Sequence, residues 1–161
     1  MKQKEILLFG ATGQIGRNLI RRLSKDNYKI TAVTRNIHRA GYILKTQANP
    51  GYLDLVEISN LADEKIDLLM RKCSICINLI GILYEKKRDQ FKTIHTDFPD
   101  MLSQKANQYK LDKFIHMSSL GIEKAKDSKY AMSKLDGEKK IIKNFSKYVI
   151  LKPSIIYSVD D

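Results

Sequence analysis

Apolar residues in this chain fall into short runs, separated by stretches in which they recur every three or four positions. Ile6-Leu7-Leu8-Phe9 runs straight into Gly10, which predicts a strand buried on both faces. Ile15, Leu19, Ile20 and Leu23 then continue at helical spacing. After a turn at Asp26-Asn27, residues 29–33 read as a second strand. Periodicity is weak over residues 35–51, where one short helix ends near Gln47 and Asn49-Pro50-Gly51 makes a turn. Residues 52–58 form a third strand, polar enough for a sheet edge, and Ile66, Leu69 and Met70 mark a helix. Residues 74–81 are apolar on both faces, as a central fourth strand would be. Residues 82–88 form a loop. A long helix follows with Phe91, Ile94, Phe98, Met101 and Leu102 on one face, and Pro99 should kink it. Residues 113–117 are a fifth strand and 121–129 a polar loop. Tyr130 opens a helix with Ala131, Leu135, Ile141, Ile142 and Phe145 as its apolar positions, and residues 148–151 form a sixth strand. Strand and helix alternate throughout, which predicts an α/β fold, a doubly wound parallel sheet. With 161 residues and no repeat or linker, one domain spans 1–161.

Charge changes the picture little. The chain carries 29 Lys and Arg against 18 Asp and Glu, a formal net charge of +11. These charges are scattered, with no block of five, so they make a solvated surface. No aromatic-rich basic strand or reading helix is present, so nucleic acid is not an expected partner. Residues 1–4 leave no room for a signal or transit peptide before the first strand. The longest apolar run, 75–84, is about half what a membrane span needs and is broken by Asn78 and Gly81. Cys73 and Cys76, three apart on the predicted fourth strand, point to opposite faces and can neither pair nor share a metal. No metal site is expected, and the chain reads as reduced and cytoplasmic.

The first candidate chemistry lies between strand one and helix one. Glycines at 10, 13 and 16 make a strand, tight turn and helix whose first N–H groups and dipole end would meet a diphosphate. Gly10 would allow the turn, Gly13 would let the diphosphate approach the backbone, and Gly16 would let helix and strand pack closely. Strand two ends in Thr34-Arg35-Asn36, with no acid where NAD sites hold the ribose hydroxyls. Arg35 would instead clamp a 2′-phosphate, which favours NADP(H) over NAD(H). Asn60, after strand three, could reach an adenine edge or cap the next helix. Gly81 ends strand four, where backbone beside a cofactor would need an absent side chain. His95 and His116 read as packed polar residues rather than ligands.

The second candidate lies after strand five. Tyr130 and Lys134 share a helix face, and Ser119 stands eleven positions before Tyr130 at the carboxyl end of a central strand. An ammonium beside the phenol would favour phenolate. Tyrosine could then pass a proton to or from a substrate oxygen held by Ser119, while a nicotinamide carries hydride.

Gly10-Ala11-Thr12-Gly13-Gln14-Ile15-Gly16, Asn78-Leu79-Ile80-Gly81, Ser118-Ser119 and Tyr130-x-x-x-Lys134 together resemble the short-chain dehydrogenase/reductase superfamily. The narrower likeness is to its extended or atypical branch, which includes the NADPH-binding accessory subunit of respiratory complex I. It rests on residues 78–85, 114–121 and 151–157. The resemblance implies that Gly10, Thr12, Gly13, Gln14, Ile15 and Gly16 hold the diphosphate. It gives Arg35 the 2′-phosphate and Asn60 the adenine, with Leu79, Ile80 and Gly81 along the adenine ribose. Tyr130 and Lys134 would hold the nicotinamide ribose, and residues 152–155, including Pro153, would border the nicotinamide. Lys152 stands where the branch usually shows arginine. Relatives carry a further substrate-binding region after the Pro153 segment, and here the sequence stops at Asp161, so that C-terminal region is expected to be absent. The implied partners are a dinucleotide and respiratory complex I, or another chain supplying the missing region, with peripheral attachment to the inner face of a membrane. The implied role is structural or redox-sensing, and the alternative is an active NADP-dependent oxidoreductase or epimerase using Ser119, Tyr130 and Lys134.

Overall fold

A computed structural model describes residues 4–125 and 127–157. Residues 1–3, on which the expectation about a leader rests, and 158–161, at the expected truncation, lie outside the described residues. Counted along the sequence, the six strands lie across the sheet in the order third, second, first, fourth, fifth, sixth, the order of a doubly wound dinucleotide-binding sheet. The chain divides into two compact units, Met1–Leu79 with Tyr157–Asp161, and Ile80–Ile156.

The first unit runs β1 (Glu5–Phe9), α1 (Gln14–Lys25), β2 (Lys29–Thr34), α2 (Ile37–Leu44), β3 (Leu53–Glu57), α3 (Lys65–Lys72) and β4 (Ile75–Asn78). β1 pairs in parallel with β2 and β4, and β2 with β3, with Leu8 opposite both Ala32 and Ile77. Ile6, Leu7, Leu8 and Phe9 are all buried, as a run without alternation requires. The short helix expected before Gln47 is α2, continued by a 3₁₀ turn over Lys45–Gln47. Three expectations are corrected. β4 stops at Asn78, and although the Leu79 N–H still donates to the Phe9 carbonyl, the chain from Leu79 onward is loop. Cys73 is not on β4 but ends α3, where its N–H donates to the Leu69 carbonyl. Both thiols are free, and burial pushes Cys73 up to about 12 and Cys76 well above the usual thiol range. Asn60 does not cap α3: its Oδ1 accepts from the Ala62 N–H, while Asp63 accepts from the N–H groups of Ser59 and Lys65.

The second unit runs through a π-helical turn (Lys92–Asp97), α4 (Phe98–Gln108), β5 (Lys113–Met117), a 3₁₀ turn (Ile122–Lys124), α5 (Lys129–Asn144) and β6 (Tyr148–Leu151). β5 and β6 are parallel, and the pairing continues past them, with Ser118 N–H on the Leu151 carbonyl and Leu120 N–H on the Pro153 carbonyl. The kink expected at Pro99 is realised as a change of register. Proline offers no N–H to the His95 carbonyl, and the preceding turn closes instead with Phe98 N–H on the Thr93 carbonyl, five residues back. The freed His95 carbonyl is covered by α5 at Gly137, where an added Cβ would overlap it. The buried face of α5 also differs from expectation. Ile142 is 50% exposed, and Ser133, Lys134, Gly137 and Glu138 are buried with Ala131 and Ile141. Apolar content alone misplaced that face, because its polar members find partners elsewhere: Ser133 at His95 and the Tyr130 carbonyl, Lys134 at the Met117 carbonyl, and one Glu138 oxygen at Lys152.

Candidate functional site

In the first unit the three glycines have three different physical requirements. Gly10 has φ +81°, a conformation that favours glycine. At Gly16 an added Cβ would lie 2.5–2.7 Å from the backbone of Gly10 and Ala11, so glycine is demanded by helix–strand packing. Gly13 has φ −71° and ψ 167°, and its added Cβ would meet only the Gly10 carbonyl oxygen, at 3.4 Å. Nothing in the fold itself requires glycine at 13. α1 begins there with no side-chain cap and no acid in its first turn, which leaves the dipole end to an anion. Thr12 and Gly13 are exposed, and Gln14 and Ile15 half-buried.

Arg35 is exposed directly after β2 and makes no hydrogen bond or ion pair among the described residues. The end of β3 brings an acid beside the end of β2. Glu57 pairs in register with Thr34, and its carboxylate accepts from the Ile37 N–H at 2.6 Å. Asn36 Oδ1 accepts from the Arg39 N–H, so the first donors of α2 already have acceptors. Sequence reading missed Glu57, since only strand register brings it beside β2.

In the second unit Ser119, Tyr130 and Lys134 do converge. Ser119 Oγ and the Tyr130 hydroxyl are 2.7 Å apart. Lys134 is buried, its Nζ donating to the Met117 carbonyl at 3.2 Å and standing 5.5 Å from the Tyr130 ring centroid. Its ammonium is thus tied to the end of β5 while lying beside the Tyr130 ring. Burial pulls Lys134 down to about 8, with Glu138 opposing. Gly81 lies close by, but an added Cβ there would meet His95 Nε2 and Lys134 Nζ only at 3.8 Å, so the fold does not require its missing side chain.

His95 belongs to this cluster and was not foreseen. Its ring is 1% exposed, edge-on to Tyr130 at 5.3 Å and stacked on Phe91 at 5.4 Å. Nε2 accepts from the Ile82 N–H at 3.1 Å, so Nδ1 carries the proton and donates to Ser133 Oγ at 3.0 Å. Ser133 Oγ donates in turn to the Tyr130 carbonyl at 2.8 Å. Burial, then the Lys134 charge, holds His95 down at about 4, a neutral ring that fixes the loop after β4 against α5. The signal was its position four residues before Pro99. His116, also buried, is held down at about 3 by burial first and then by the Lys134 charge, with its ring stacked on Phe114.

A family described as NAD(P)H-binding matches residues 10–160. The chain belongs to this NAD(P)H-binding family. It is 25% identical over 154 residues to the mitochondrial NADH-ubiquinone oxidoreductase 40 kDa subunit of Neurospora crassa. It is 27% identical over 154 residues to the mitochondrial NADH dehydrogenase [ubiquinone] 1 alpha subcomplex subunit 9 of Mus musculus. Each match covers 96% of this chain and 41% of the relative, so the chain spans about two fifths of those relatives' length. In fold it is similar to the UDP-glucuronic acid 4-epimerase of Bacillus cereus, solved with NAD, at TM-score 0.76 and 23% identity, covering 95% of this chain and 56% of that one. The superfamily resemblance and its complex I branch are thereby borne out, as is a nicotinamide dinucleotide as ligand class. No helix among the described residues is long and apolar enough to cross a membrane.

Proposed function

We propose that this NAD(P)H-binding chain prefers NADP(H), with NAD(H) the weaker ligand, and serves a structural or redox-sensing role. The observation that carries the reading is the division among the glycines: Gly10 and Gly16 serve the fold, while Gly13 has no reason to be glycine except a close-approaching ligand. In the first unit, Gly10 to Gly16 would hold the diphosphate and Arg35 the 2′-phosphate, with Asn60 at the adenine and Leu79 at its ribose. In the second, Ile80 and Gly81 would continue along that ribose, Tyr130 and Lys134 would hold the nicotinamide ribose, and Pro153 would border the nicotinamide. Residues 1–161 are read as one Rossmann domain. The names of the relatives, subunits of NADH-ubiquinone oxidoreductase, support respiratory complex I as partner.

Arg35 is free to form two charge-assisted bonds with a 2′-phosphate. Titration calorimetry should therefore show NADPH bound at least about tenfold more tightly than NADH, equivalent to about 1.5–3 kcal/mol. Arg35→Ala should shrink that ratio towards one. Equal affinities in the unaltered chain would reverse the preference.

The 2.7 Å contact between Ser119 Oγ and the Tyr130 hydroxyl favours a second reading, an NADP-dependent oxidoreductase or epimerase. A bound nicotinamide would supply hydride, Tyr130 would move the proton, and Ser119 would hold the substrate oxygen. Tyr130→Phe separates the two. A ribose ligand loses one hydrogen bond, about 0.5–1.5 kcal/mol of NADPH affinity. An acid–base catalyst loses about 10²- to 10⁴-fold in NADPH consumption with a carbonyl substrate.

A further inference from the structure

Behind Lys134 lies a polar network centred on a buried glutamate, Glu138, that the nucleotide reading does not use; its other members, Lys152 and Glu123, are exposed. Tyr130, Lys134 and Glu138 are spaced four apart on α5 and so share a face. Glu138 is 4% exposed. Its Oε2 accepts from Lys152 Nζ at 2.9 Å, and its Oε1 is buried with no hydrogen-bond partner among the described residues. Lys152, just past β6, also pairs with Glu123 on the 3₁₀ turn. A carboxylate taken this far from water is costly unless positive charge compensates it. Lys152 supplies one such charge, and the Lys134 ammonium, one helical turn back, supplies the other.

The groups facing Lys134 are few. Tyr130 and Glu138 come from its own helix, His95 from the π turn, and His116 and the Met117 carbonyl from β5. Both imidazoles are neutral at pH 7, so Glu138 is the one anion among them. Without it, an ammonium buried to 5% exposure would face only dipoles.

We infer that Glu138, pinned by Lys152, is a positioning residue for Lys134, holding it as an ammonium aimed at the Met117 carbonyl beside Ser119 and Tyr130. Its consequence for ligand binding rests on the proposed role of Lys134 at the nicotinamide ribose. The charge coupling itself does not.

The decisive measurement is an NMR titration of the Lys134 ε-carbon in the whole chain without nucleotide. Glu138→Gln should move the midpoint lower by about one pH unit. The double variant Glu138→Leu/Lys152→Leu, which replaces the pair with apolar groups and keeps the fold testable should Glu138→Gln not fold, should move it the same way. Lys152→Arg, which keeps the ion pair, should leave it in place. A merely structural Glu138 would move no midpoint, and an unchanged Lys134 titration in a folded Glu138→Gln or double variant overturns the proposal. NADPH affinity measured from pH 6.5 to 8.5 should follow, with the alkaline loss in Glu138→Gln beginning about one pH unit earlier. If the titration midpoint moves while affinity stays flat, the Glu138–Lys134 coupling is supported and the ribose role of Lys134 is refuted.

Discussion

Gly137→Ala is expected to destabilise the chain by about 3 kcal/mol or more, although alanine in a helix interior normally gains about 1 kcal/mol over glycine. The sign reverses because the added Cβ would overlap the His95 carbonyl oxygen and lie 3.1 Å from its carbon and 3.4 Å from Pro99 Cγ. Two of these three atoms are backbone, so no rotamer change can relieve the clash. The π turn cannot retreat cheaply either. Phe98 N–H is committed to Thr93, Pro99 has no donor, and the His95 ring is fixed by Ile82 and Ser133. Thermal unfolding should show a midpoint lower by roughly 6–12 °C. Gly41→Ala is the control, since its Cβ would meet only side-chain atoms at 3.8–4.0 Å and should be neutral or slightly stabilising. A Gly137→Ala midpoint within about 2 °C of the unaltered chain would show that α5 and the π turn separate at no cost.

That contact also marks where the sequence stopped being legible. The strands and helices were readable because each depends on a local period: the unbroken run of β1, the 3.6-residue repeat of α1, the Gly51 turn before β3. Tyr130 and Lys134 were readable as a pair because four residues on a helix bring two side chains to one face. Extending the same step by one turn reaches Glu138, whose role was missed because a glutamate in a lysine-rich helix looks solvated. Its burial depends on Lys152, which arrives only when β6 lies beside β5. Glu57 escaped for the same reason, being brought to the head of α2 by the β2–β3 register. Cys73 and Ile142 were misplaced by boundary and face errors of one or two residues, the level at which local pattern loses to tertiary packing. His95 could be placed as packed from its sequence, but its contact with Tyr130 needs the irregular turn that Pro99 imposes.

Gly13→Val should abolish dinucleotide binding while leaving the chain folded. The backbone at 13 is extended, a conformation valine adopts freely, and the nearest atom to its Cβ would be the Gly10 carbonyl oxygen at 3.4 Å. Loss of glycine at this N-cap costs the fold no more than about 1 kcal/mol. For a diphosphate the position is different. Its oxygens must come within hydrogen-bond reach of the first N–H groups of α1, and a branched side chain there occupies that approach. We expect NADPH affinity to fall by about 100-fold or more, some 2.7 kcal/mol, with unfolding temperature nearly unchanged. Gly16→Val supplies the opposite result. With backbone atoms 2.5–2.7 Å from its Cβ it should lose the fold itself. Measured together by calorimetry and thermal unfolding, the pair separates a glycine kept for a ligand from one kept for packing. Affinity within about threefold of the unaltered chain in a folded Gly13→Val variant would mean the diphosphate does not approach this turn, and the assignment of residues 10–16 would fail.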